Sequence, residues 1–186
     1  MENGITNFLS IVGTNSLDDI ITIKNFITRL IKAVLEGFEK DSFWLDIRVT
    51  IPNDNWKVPR WHTDGKFYDI QNIDKPNYKF VMAPKGPGTL FSECTNKNIR
   101  NKFFEMLKLQ GNDYKNLSNR RLNDDLIKNF NIVKCKQNQG AIFMTGNHQF
   151  SAIHSEPDFN DSRIFISILP GTKSEILELK DRWDKK

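Results

Sequence analysis

Three histidines occur in the 186 residues, at positions 62, 148 and 154. His62 stands in V-P-R-W-H-T-D-G-K-F-Y-D (residues 58–69), with one residue between it and Asp64. His154 ends the stretch F-S-A-I-H, and Arg163 opens R-I-F-I-S-I-L nine positions later. Two neutral imidazoles and one carboxylate on one face of an iron ion leave adjacent coordination positions open. A His-X-Asp spacing serves that geometry on an extended segment, because side chains two apart point to the same side. The second histidine must then come from a facing strand. An arginine opening an apolar strand is costly to bury alone, so an anionic partner is expected for Arg163. The open positions suit a bidentate keto acid and dioxygen, with Arg163 clamping the acid's distal carboxylate through paired hydrogen bonds. The plainer alternative makes His62 and Asp64 a polar turn and His154 an ordinary hydrogen-bonded strand residue.

Such a site needs elements that hold it. From Asp18 to Glu39 the residues Ile20, Ile23, Ile27, Ile31, Val34, Leu35 and Phe38 form one face of an amphipathic helix. Ser16 or Asp18 is placed to cap its start. In F-W-L-D-I-R-V-T-I (43–51), Trp44, Asp46, Arg48 and Thr50 alternate with apolar residues, as along a strand. Short strands are expected near Trp61–His62, Phe67–Ile70, Tyr78–Ala83 and Thr89–Phe91, with P-K-G-P-G (84–88) as a tight turn. Residues 96–130 change to helical spacing, through Ile99, Phe103, Phe104 and Leu107, then Leu122, Leu126, Ile127 and Phe130. That stretch reads as a helical insertion. Strands return at 131–135, 140–146, 150–154 and 163–171, and a short helix closes the chain at 174–183. One helix followed by many short strands implies a single α+β, mainly β domain over 1–186, built around a sandwich or barrel.

Composition narrows the class further. Apolar residues at 38% and aromatics at 11% are enough for a globular core and argue against general disorder. No apolar run approaches the roughly 20 residues that span a bilayer. The start M-E-N-G-I-T-N-F-L-S lacks the basic and apolar regions of a secretory signal. Cys94 and Cys135 match no metal or redox spacing and are expected as free thiols in a reducing compartment. A cytoplasmic protein without a membrane partner is the expectation. The net charge of +4 comes from scattered residues, and Arg120 and Arg121 are followed at once by Asp124 and Asp125. Nucleic-acid binding is not signalled.

The order H-T-D at 62–64, a long interval, then H-S-E-P-D-F-N-D-S-R at 154–163 resembles the motif of the Fe(II)/2-oxoglutarate-dependent dioxygenases. The short interval from the second histidine to the arginine is similar to that of the prolyl-hydroxylase-like members. The order of elements also resembles theirs over roughly residues 43–171, including G-A-I-F-M-T-G ahead of His154. The resemblance implies a double-stranded β-helix (jelly roll) core with an N-terminal supporting helix and the helical insertion. In it His62, Asp64 and His154 would bind Fe(II), and Arg163 would hold 2-oxoglutarate. The implied reaction uses O2, releases succinate and CO2, and hydroxylates or oxidatively demethylates a substrate. By the family's arrangement, Tyr78, Lys79, Thr89 and Ser167 are the further candidates for the 2-oxoglutarate pocket.

Around these, Trp56 and Trp61 are candidates for a pocket wall, Arg48 and Arg60 for groups facing the cavity, and His148 for its rim. Residues 84–88 lack the Lys-Ser/Thr and helix of a phosphate-binding loop. Two other classes stand beside the oxygenase. A cupin-like metal protein, an isomerase or small-molecule-binding module, would use more histidines than this chain has. A degenerate fold member binding a partner without catalysis has no need of intact ligands. The substrate (protein side chain, nucleobase, amino acid or small metabolite) depends on variable loops, here about 53–59, 65–77 and 96–130.

Overall fold

Two helices open the chain in the computed structural model, which describes residues 2–12, 15–52, 54, 57–72, 74–111, 113, 116–146 and 149–184. The first, α1 (Glu2–Ile11), was not expected from the sequence; the second, α2 (Leu17–Gly37), is the amphipathic helix. Ser16 caps α2 reciprocally: its hydroxyl accepts from the Asp19 amide, and the Asp19 carboxylate accepts from the Ser16 amide. Ile27, Ile31 and Val34 of α2 and Ile5 and Leu9 of α1 form one buried cluster with Phe80, Ile166 and Ile168. That cluster is the interface between helices and sheet.

Among the described residues seven strands follow: β1 (Ser42–Thr50), β2 (Asn77–Lys85), β3 (Leu90–Ser92), β4 (Ile132–Lys134), β5 (Gly140–Thr145), β6 (Ile153–Ser155) and β7 (Arg163–Gly171). They make two antiparallel sheets, ordered β1-β7-β2-β5 and β4-β3-β6, which do not join into a closed barrel. His62 adds a single antiparallel bridge to His154, so the H-T-D segment runs beside β6. The sheets meet through Val81, Phe143 and Phe165 of the larger one and Phe91 of the smaller. The Phe91 and Phe143 rings lie edge-on at 5.2 Å. Alternation along β1 sorts its side chains: Phe43, Leu45 and Ile47 pack toward α2, while Arg48 and Thr50 line a cavity between the sheets.

Between β3 and β4 lie α3 (Lys97–Gln110) and α4 (Leu117–Ile127), the helices read from residues 96–130. Phe103 and Ile127 are fully buried against Ile153 and Trp61. No helix among the described residues is long and apolar enough to cross a membrane. The strand expected at Phe67–Ile70 is absent. Asn77 Oδ1 accepts from the amides of both Phe67 and Tyr68, and the Tyr68 hydroxyl donates to the Pro170 carbonyl. Side-chain contacts therefore satisfy this backbone in place of a ladder, and Asp69, at φ 55°, turns the chain out of extension.

The last helix, α5 (Lys173–Trp183), is tied down by Glu175. Its carboxylate accepts from the Thr172 amide at 2.7 Å and from Lys40 Nζ at 2.8 Å. Burial opposes ionisation of Glu175, but the bonds from Lys40 and Thr172 override it and lower its pKa from the ordinary 4.5. A depressed carboxyl contributes stability above its unfolded pKa and loses it as pH falls through the folded one. Glu175→Gln is expected to cost roughly 1–2 kcal/mol at pH 7 in urea unfolding. The gap to wild type should narrow once pH falls below the ordinary 4.5 and close as it passes the lowered folded pKa; a gap that stays constant with pH would contradict this account.

Candidate metal centre

Backbone geometry brings the two histidines together. The His62 amide donates to the His154 carbonyl and the His154 amide to the His62 carbonyl, both at 2.9 Å. Residues that exchange both bonds across an antiparallel pair present their side chains on one face. The imidazole centroids stand 4.2 Å apart. Each ring is oriented by a carbonyl two residues back in its own segment: His62 Nδ1 lies 2.8 Å from Arg60 O, and His154 Nδ1 lies 3.0 Å from Ala152 O. A carbonyl only accepts, so we assign the proton to Nδ1 in both rings, which leaves each Nε2 a free lone pair.

Asp64, two residues beyond His62, points to the same place. Its Oδ1 is 3.9 Å from His62 Nε2 and its Oδ2 is 3.8 Å from His154 Nε2. One ligating atom from each of the three lies within 4.8 Å of the others. Burial lowers the pKa of His62 and takes that of His154 to about 4, so both imidazoles are neutral near pH 7. Burial opposes ionisation of Asp64, but His154, Lys79 and His62 override it and hold the carboxyl well below its ordinary range. Two imidazole nitrogens with lone pairs and one carboxylate, without a thiolate, suit a divalent ion that takes N and O ligands.

Four more cavity residues complete the picture. Lys79 Nζ donates to Asp64 Oδ2 at 2.8 Å, and both side chains are largely buried. Arg163 is 4% exposed, its Nε donates to the Pro87 carbonyl at 2.9 Å, and its guanidinium sits 4.7 Å from the Phe165 ring centroid. Burial lowers its pKa to about 10, so it stays charged at neutral pH. Among the described residues it forms no ion pair. The P-K-G-P-G turn is the cradle of this arginine: at Gly86, with φ +82°, a Cβ would stand 3.3 Å from Arg163 Cα, Cβ and Cγ. Thr89 and Arg48 line the same cavity, which has a volume of about 500 Å³.

Other residues expected at the site lie elsewhere. Tyr78 faces away from the cavity on β2, its ring 5.5 Å from that of Phe38, because alternation sets it opposite Lys79. Ser167 is buried on β7 between its cross-strand partners Asp46 and Val81, one alternation past Phe165, and does not line the cavity. Neither joins the group around Arg163. Trp61 belongs to the core with Phe103 and Ile127, and its Nε1 donates to Asp124 Oδ1 at 2.7 Å. Trp56 and His148 lie outside the described residues.

One pair escaped the sequence reading. The His62–His154 register sets Arg60, two residues before the first histidine, opposite Glu156, two after the second. Arg60 Nε donates to Glu156 Oε2 at 3.1 Å, and its Nη2 to Oε1, a bidentate contact. Burial opposes ionisation of Glu156, but His62 and Arg60 hold its pKa at about 2. R-W-H and H-S-E carry the signal, legible once the two histidines are taken as a pair.

No family model matches the chain, and no curated protein matches it. A solved structure similar to it is a YbjQ-like protein of unknown function from Sulfolobus solfataricus P2, with 7% identity. It covers 70% of this chain and 98% of that one at a TM-score of 0.26, too low to carry an argument.

If the Arg60–Glu156 pair latches the H-T-D segment to β6, its loss should loosen the centre without touching a ligand. Arg60→Ala and Glu156→Ala are each expected to weaken Mn(II) binding by about tenfold in calorimetric titration. The double variant should be little worse than either single, because both remove the same contact. Wild-type affinity in both single variants would show that the latch is not needed.

Proposed function

We propose that this protein is an Fe(II)- and 2-oxoglutarate-dependent dioxygenase that hydroxylates, or oxidatively demethylates, its substrate on a double-stranded β-helix core. One observation carries the reading: His62, Asp64 and His154 converge on a cavity that also holds Arg163, a buried cation that forms no ion pair among the described residues. The strand order supports the fold. Counting the His62 segment as a second strand after β1, the pairs run first with last, second with second-last, and so inward to β3 with β4. A long hairpin rolled up on itself produces that pairing, which is how a jelly roll is wound. Two buried free thiols, Cys94 and Cys135, support a cytoplasmic location.

In this reading His62 Nε2, His154 Nε2 and Asp64 hold the iron. Fe(II) and 2-oxoglutarate, if bound there, would supply the oxidising power drawn from O2, with succinate and CO2 as co-products. The chain's own work is positioning and charge. The carbonyls of Arg60 and Ala152 keep the protons on Nδ1, so both Nε2 atoms face inward. Lys79 keeps Asp64 ionised and fixes its plane. Arg163 offers its planar fork to the distal carboxylate in a wall partly built of Phe165, where such a pair is strong. Phe91 and Phe143 pack against the His154 ring and exclude water from that side.

Anaerobic titration of the metal-free protein with Fe(II) and 2-oxoglutarate tests this through the visible charge-transfer band of the chelate. Wild type is expected to show the band and His154→Ala to lack it. Arg163→Ala should need at least about 30-fold more 2-oxoglutarate, the equivalent of roughly 2 kcal/mol. A folded protein that binds iron but gives no band would favour a cupin-like metal protein. One that binds no iron would return H-T-D to the status of a polar turn.

A further inference from the structure

Two strands that wall the main cavity also wall a second, apolar one on their opposite face. Arg48 and Thr50 of β1 and Arg163 and Phe165 of β7 line the main cavity. Their neighbours Ile47 and Val49 of β1 and Ile164 and Ile166 of β7 alternate to the other side. There, where α1 and α2 meet the sheet, they border a space of about 490 Å³. Protein interiors hold few voids larger than a water molecule. A mostly apolar space within roughly 300–1,000 Å³, with a few polar groups at its wall, has the character of a small-molecule pocket.

Polarity in this pocket is graded with depth. Its buried lining residues, Leu9, Ile27 and Ile166, are all aliphatic. Thr22 and Arg29 are exposed, and they lie about two turns apart on one face of α2, so they form a polar rim. The third polar group, Asn15, spends its amide on the Leu9 and Val12 carbonyls, both at 2.7 Å, and so closes the end of α1. No acidic residue is among the described lining residues, and Arg29 is the cation there. Among the described residues Arg29 forms no ion pair.

We infer that this pocket binds an anionic amphiphile, a single acyl chain whose carboxylate stands at Arg29. The aliphatic interior offers no partner to a buried polar group, so it selects a ligand whose inner part is hydrocarbon. The rim supplies one positive charge and a hydroxyl, which select a negative head that stays in contact with water. None of the lining residues of this pocket lines the main cavity, so the inference does not depend on the dioxygenase reading.

The test follows the methyl signals of Ile47, Val49 and Ile164 by NMR in the full chain, titrated with decanoate below its micelle-forming concentration. Saturable shifts are expected at all three, and they should persist in Arg163→Ala, which separates this pocket from the main cavity. Val49→Trp, at a position 49% exposed, would fill the space and should weaken binding at least about tenfold. Thr22→Trp, on the exposed face of α2, is the second variant where the first does not fold. Arg29→Glu should weaken decanoate at least about threefold and leave 1-decanol unchanged, as expected for a pair at an exposed rim. No saturable shift, or one unchanged in both tryptophan variants, overturns the inference. Equal binding of decanoate by wild type and Arg29→Glu overturns the anionic head. Shifts of the same methyls with protein concentration alone would show a second copy of the chain covering the pocket, and would overturn the acyl ligand.

Discussion

The candidate centre depends on two backbone hydrogen bonds, those exchanged between His62 and His154. Each is worth only about 0.5–1.5 kcal/mol net, yet a slip of one residue would turn His62 and Asp64 away from the cavity and Trp61 into it. Register is therefore the property that the surroundings must protect. On the cavity side Arg60 and Glu156 do so as a cross-strand ion pair. On the other side Trp61 is packed among Phe103, Ile127 and Ile153, with its indole tied to Asp124. The segment is held from both faces.

Charge in the main cavity follows the same economy. Asp64 has Lys79 and Glu156 has Arg60, so the buried carboxylates are compensated. Removing one member of such a pair leaves the other costly to bury. Arg163 differs: its nearest groups are a carbonyl and an aromatic face, which satisfy one N–H and shield the plane but do not neutralise the cation. The fold holds a positive charge beside three metal-type ligands, an arrangement that a dianionic chelator would complete.

How far this was legible can be seen residue by residue. The grouping of His62, Asp64 and His154 was readable because histidine is rare in this chain and a period of two is hard to mistake. Helices α2, α3 and α4 were readable from their apolar spacing. The false strand at Phe67–Ile70 has an aromatic-rich sequence that suits a strand; what it lacks is a neighbour, since Asn77 takes its amides instead. Tyr78 and Lys79 are equally polar in sequence, and which of them faces inward depends on where β2 joins the sheet. Gly86 and Pro87 were visible as a turn, but their closeness to Arg163 is a long-range fact that no local pattern carries.

The helical insertion joins the core to a polar cavity wall. Along α4 the buried residues Arg120, Asn123 and Ile127 fall at helical spacing on one stripe, and its chemistry changes partway. Ile127, toward the C-terminal end, enters the core beside Trp61, whereas Asn123 and Arg120 line a cavity of about 290 Å³ beside the H-T-D segment. A single rigid helix thus fixes the distance between the packing that secures the H-T-D register and the polar groups that line this cavity. Loops bearing Arg120 could not set it so closely, because loop backbones open more readily than packed helices. The insertion sits where it does because one end of α4 must grip Trp61 and the other must stand over His62.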